Sequence, residues 1–190
     1  MAAPTLRADA ARNLELILVA ADVEFAEKGH EACVADIATR AGVGQATIFR
    51  RFETKDDLIA AVFLRKVEQL LEAAETAQRK RRAWDGLMGL MSTLTESQVR
   101  DRGFFQSMAH ELLSKDDRML ERKQQMKEAV AEVVEKAKAE GDLREDIQPD
   151  DVYAFCCAAA QAAAMGPNAG PRAAKRYLAV ITDGMRASAA

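Results

Sequence analysis

Residues 34–55 read VADIATRAGVGQATIFRRFETK, and their spacing decides the reading of the whole chain. Two short helices meeting at a sharp angle need a small residue where they cross, a glycine in the turn, and an apolar residue on the second helix facing the first. Ala38, Gly42 and Ile48 supply these at spacings of 4 and 6, with Ile37, Val43 and Phe52 completing a small core. That is a helix-turn-helix pattern, with helices predicted over 34–41 and 45–51. If Ile48 and Phe52 turn inward, Gln45, Ala46, Thr47, Phe49, Arg50 and Arg51 lie wholly or partly on the outer face. Glutamine matches an adenine edge, arginine matches guanine, and alanine or threonine can meet a thymine methyl. Between Arg40 and Lys55 four basic residues face one acidic residue, a local excess of three positive charges. Lys55 opens the next helix, where an ammonium beside free backbone N–H groups suits a phosphate.

The flanks agree. A helix predicted from Asp9 to Lys28 ends at Gly29, a left-handed terminator, and carries one apolar stripe of Leu14, Ile17, Leu18, Ala21 and Phe25. Thr54 and Asp57 form a capping-box-like start for a helix expected to run to Arg82, about 40 Å at ~1.5 Å per residue, long enough to bridge two parts of a protein. Further helices are expected near 84–100, 102–113, 116–140, 150–165 and 172–187, the last two separated by the loop Gly166–Pro171. Composition supports this. Alanine occurs 38 times, Val, Ile and Thr together only 26, and residues 5–148 contain no proline. Sheet-rich chains need β-branched strands and turn punctuation, so the fold class is all-α.

The stretch GHEACVADIATRAGVGQATIFRRFETKDDLIAAVF, preceded by ILVAADVEFAEKG, resembles the N-terminal domain of the TetR/AcrR-type bacterial transcriptional regulators. The match covers about residues 10–64. It implies a helix-turn-helix DNA-binding domain over 1–54, a connecting helix over 55–82, and a helical bundle for ligand binding and dimerisation over 83–190. Carried over by position, the resemblance makes Gly44, Gln45, Ala46 and Thr47 the start of the recognition helix and Lys55 a phosphate contact. Arg7 and Arg12 correspond to basic residues that approach the flanking backbone or minor groove. Phe49 stands where a phosphate-binding Tyr is usual, and Arg51 where His is common. Cys33 stands where Thr or Ser often caps the second helix, and cysteine is a poor cap. Ala35 replaces a frequent polar or basic contact. The implied function is a dimeric repressor on a palindromic operator, with half-sites ~34–36 Å apart. A small effector in the 83–170 bundle releases it by swinging the long helix.

The rest of the chain is read from its residues. Trp84, Met88, Met91, Phe104, Phe105, Met108, Leu112, Met126 and Phe155 are candidates for an apolar or aromatic effector's pocket, since methionine adapts to irregular shapes. Small or apolar side chains at Cys156, Ala159 and Ala163, and at Ala174, Leu178, Ile181 and Met185, permit close approach of two copies as a four-helix bundle. Arg79–Arg82 reads as a solvated helix end. No His or Cys spacing suits a metal, His110 and Glu111 read as ordinary polar residues, and neither cofactor nor catalytic set is expected. No apolar run reaches the ~20 residues of a membrane span, the first twelve residues are polar, and an odd number of cysteines suits reduced thiols. A cytoplasmic location is therefore expected. With a net charge of −3, nucleic-acid contact must come from a local face. The rival reading is a helical protein-interaction adaptor whose degenerate helix-turn-helix does not bind DNA.

Overall fold

The computed structural model describes residues 3–101, 117–165 and 169–187, with side chains from 8–101, 118–165 and 169–187. Among these residues the order is α1 (Ala3–Lys28), a 3-10 turn (Gly29–Glu31), α2 (Val34–Ala41), α3 (Gln45–Phe49) and α4 (Lys55–Gln78). There follow α5 (Ala83–Asp101), α6 (Asp117–Ala139), α7 (Pro149–Met165) and α8 (Pro171–Met185). The all-α expectation holds. Leu143 and Arg186 form an isolated antiparallel bridge, the one β pairing among the described residues. The segment expected to be helical over 102–113 lies outside them, as do His110 and Glu111.

The chain divides into two compact units. The described residues up to Lys66 belong to the first, and those from Val67 onward to the second, so α4 contributes Lys55–Lys66 to one and Val67–Gln78 to the other. The first unit has its own core of Ile17, Ala21 and Phe25 from α1, Ile37 and Ala38 from α2, Ile48 from α3, and Leu58 and Val62 from α4. Across it, Lys66 of α4 pairs with Asp22 of α1 at 2.6 Å, both side chains nearly buried. Removing either partner would strand a charge out of water.

In the second unit α5 is central, packing against α6, α7 and α8. Leu87, Leu90, Met91 and Leu94 meet Val133, Val134 and Ala137 of α6, Val152 and Cys156 of α7, and Leu178 and Met185 of α8. The α5 N-terminus is capped from far along the chain: the Ala83 N–H donates to the Glu140 carboxylate at 2.8 Å. Arg186 lies over the Trp84 ring, 4.3 Å from its centroid.

Three expectations change here. The long helix stops at Gln78, not Arg82, and residues 79–82 form the turn into α5. Arg82 donates to both carboxylate oxygens of Asp142 at 3.0 Å, and Lys136 donates to the Lys80 carbonyl at 3.1 Å. The basic run is solvent-exposed as expected, but it is a turn pinned at Lys80 and Arg82 and not the end of the long helix.

The face predicted for dimerisation points inward. Cys156 is 0% exposed, Ala159, Ala163, Ala174, Leu178 and Met185 are buried, and Ile181 is half-buried against the same core. The six buried side chains have no surface to give a second copy, whereas Ile181 keeps part of its side chain exposed. Burial also pushes the Cys156 thiol up to about 11, so it is no reactive thiolate.

Of the pocket candidates, Trp84, Met91, Met88 and Phe155 share one core. Met126 is half-buried on α6, while Phe104, Phe105, Met108 and Leu112 lie outside the described residues.

Gly86 lets α5 cross α4 closely, because a Cβ there would collide with the Ala77 carbonyl oxygen. Gly86→Ala gains ~1 kcal/mol of helix propensity but overpacks the crossing, for an expected net loss of about 1–2 kcal/mol. A lowered thermal midpoint is the expected result. An unchanged or raised one would mean that α4 does not press on α5.

Candidate nucleic-acid interface

The interface candidate is built around one corner. α2 ends on Gly42, whose left-handed backbone (φ 68°, ψ 30°) suits a residue without a Cβ. The Val43 N–H donates to the Ala38 carbonyl at 3.0 Å, closing the turn. Gly44, in extended backbone, precedes α3, and its carbonyl accepts from the Thr47 N–H at 2.9 Å. Ile48 is 1% exposed beneath α1 and α2, and Phe52 is buried behind it. With those two anchored, the opposite flank faces out: Gln45, Ala46, Phe49, Arg50 and Arg51 are exposed, and Thr47 is half-buried. α3 is shorter than predicted, ending at Phe49, with Arg50 and Arg51 in the turn that follows.

The next helix starts on a true capping box. The Thr54 hydroxyl accepts from the Asp57 N–H at 3.1 Å, and the Asp57 carboxylate accepts from the Thr54 N–H at 2.9 Å. Lys55 then reaches back and donates to the His30 carbonyl at 2.6 Å. One bond leaves an ammonium two further donors, so the side chain is aimed by the 3-10 turn yet still able to meet an anion. Cys33 makes no side-chain cap at the α2 start, as its chemistry predicted.

A group of charges locks α2 against α1. Glu24, its side chain 4% exposed, takes Lys28 at 2.8 Å and Arg40 at 2.7 Å; Arg40 also pairs with Glu27, and Lys28 with Asp36. Arg40, counted in the local positive excess, is therefore committed to acidic partners. The remaining basic groups of the face are Arg50, Arg51 and Lys55. The i,i+4 pair Glu24–Lys28 was readable as helical spacing, but Arg40 meets Glu24 sixteen residues away, where no local signal exists. Arg12 is exposed on α1, and the Arg7 side chain lies outside the described residues.

An all-helical chain with a buried anchor beneath an exposed polar and basic helix flank is a helix-turn-helix protein. Residues 17–62 match the model of the tetR family of bacterial regulatory proteins, and residues 82–187 match that of the C-terminal domain of SbtR-like transcriptional regulators. The chain belongs to the TetR family of transcriptional regulators. It is similar to the HTH-type transcriptional repressor KstR2 of Mycolicibacterium smegmatis, 25% identical in an alignment of 203 positions, gaps included, that covers 99% of this chain and 97% of the relative. Among solved structures, it is similar to a TetR transcriptional regulator of Streptomyces coelicolor (27% identity, TM-score 0.74, 93% of this chain and 99% of that one). Another is the TetR regulatory protein of Mycobacterium vanbaalenii (27%, TM-score 0.70, 95% and 99%). Family and fold are those of transcriptional regulators, not enzymes.

The Lys28 hydrogen bond, and then Arg40, hold the Glu24 carboxyl below its ordinary 4.5 against the opposing pull of burial. A depressed folded-state value means that this stabilisation is complete above about pH 4.5 and is lost as pH falls through the lower folded value. Glu24→Gln is expected to lower the melting temperature at neutral pH and to flatten its decline below about pH 4.5. An acid slope identical to that of the parent would contradict the clamp.

Proposed function

We infer that this chain is a cytoplasmic repressor that binds a palindromic operator as a homodimer and leaves it when a small apolar or aromatic effector binds. The observation that carries the DNA-binding part is the two-sided α3, with Ile48 sealed at 1% exposure and Gln45, Ala46, Phe49 and Arg50 open on the other flank. In a major groove Gln45 can donate to N7 and accept from the N6 amino group of an adenine, and Arg50 can donate twice to a guanine, while Arg12, Arg51 and Lys55 supply charge toward phosphates. Repression is the sense carried by the name of the M. smegmatis relative. The division of labour follows the expected boundaries: DNA contact over 1–54, a connecting helix, and an effector-binding and dimerising segment over 83–190. Trp84, Met88, Met91 and Phe155 would supply apolar contacts to the effector. The effector acts only through its different affinity for two states, typically ~1–3 kcal/mol of coupling.

The dimer face consistent with burial is the outer side of α7 and α8. On α7 it offers Tyr153, Ala154, Ala158, Ala162 and Met165, all exposed, and on α8 Val180, which is 69% exposed. Small and apolar side chains there let two helix pairs approach as an isologous bundle.

Fluorescence anisotropy of the purified chain on the duplex flanking its own gene tests the reading. Binding that weakens steeply with salt is expected, and Arg50→Ala should relax base discrimination by about 1–3 kcal/mol at one position per half-site. Indifference to every duplex at low ionic strength would overturn it. Val180→Glu is expected to give monomers in sedimentation and to lose operator affinity; a persisting dimer would move the interface elsewhere.

A further inference from the structure

We propose that Phe49 and Ala46 form an apolar reading patch for thymine methyl groups, so that the operator is recognised partly through the C5-methyls of thymines in each half-site. This rests on the DNA-binding reading above. Phe49 is 50% exposed, whereas Phe25 and Phe52 of the same unit are buried in its core. The core is completed by Ile48 and Phe52 on the opposite flank, so nothing in the fold requires an aromatic ring at position 49. Ala46 and Phe49, three residues apart on α3, share one face, and both are exposed.

The surround of this patch is polar and cationic: Gln45 on one side, Arg50 and Arg51 on the other, and Lys55 beyond. A cationic rim selects a polyanion over an apolar protein surface. Within a B-DNA major groove, the apolar group displayed on the base edges is the thymine C5-methyl. A phenyl ring makes no conventional hydrogen bond to a base edge, and the methyl is the apolar group there whose presence distinguishes one base from another. The recognition helix thus divides its work. Gln45 and Arg50 supply directional hydrogen bonds, while Ala46 and Phe49 supply contacts that sense a single methyl.

Replacing thymine by uracil deletes that methyl and leaves the Watson–Crick edge intact. An operator duplex is first selected from a random pool with the parent protein. Each thymine is then replaced in turn, and affinities are compared for the parent and for Phe49→Ala, whose fold is checked by thermal melting. One or two uracil substitutions per half-site are expected to weaken the parent roughly fourfold each, and Phe49→Ala is expected to bind less tightly and to ignore at least one of those substitutions, any other being read by Ala46. Tight operator binding by the parent with no uracil effect anywhere overturns the methyl-reading patch and leaves the DNA-binding reading intact. Sensitivity that survives undiminished at every one of those positions in Phe49→Ala overturns the assignment to Phe49. Failure to select any duplex overturns the underlying reading, and this inference with it.

Discussion

The burial of Ile48 is the constraint on which the rest of the first unit turns. A five-residue helix cannot hold itself together in water, because nucleation costs more than one turn of hydrogen bonds returns. α3 persists because Ile48 and Phe52 are fastened into a core built by three longer helices. Gly42 sets the angle of approach through its left-handed backbone, and the carbonyl of Gly44 restarts the helical hydrogen-bond ladder two residues later. Once the apolar side of α3 is fastened, its other side has no freedom but to face outward. The exposed glutamine, phenylalanine and arginine side chains are a consequence of that anchoring.

Electrostatics sharpen the same picture. The chain as a whole carries a net charge of −3, so a polyanion is repelled by most of its surface and attracted only where cations are left uncommitted. Arg40 and Lys28 are spent internally, holding α2 to α1 through Glu24, Glu27 and Asp36. Lys55 is aimed by the His30 carbonyl, with donors to spare. The proposed interface therefore relies on few charges, and direct contacts from α3 must carry a correspondingly large share of any sequence preference.

How much of this was legible depended on how local the determining contact was. The corner was legible because its determinants, Ala38, Gly42 and Ile48, lie within eleven residues. The Thr54–Asp57 cap was legible because it spans a single turn. The end of the long helix was not: Arg79–Arg82 carries no breaker, and the turn there is held by Asp142 and Lys136, more than fifty residues away. The α5 start is likewise capped by Glu140. The small-residue periodicity of the last two helices correctly signalled close packing. Periodicity cannot say against what, and the packing proved to be against α5 within the same chain, which leaves Tyr153 and Val180, not Cys156 and Ala159, on the surface.

The account stands on α3 meeting DNA with one flank while its other flank stays fixed. Titration of the isotope-labelled protein with its operator duplex, followed by amide, methyl and aromatic NMR resonances, examines this directly. The largest changes should fall on the Gly44–Arg51 amides, the Gln45 side-chain amide and the Phe49 ring, while the Ile48 methyls and the Phe52 ring keep their intramolecular contacts. Changes centred on the Arg79–Arg82 turn, with the α3 resonances unmoved, would contradict it.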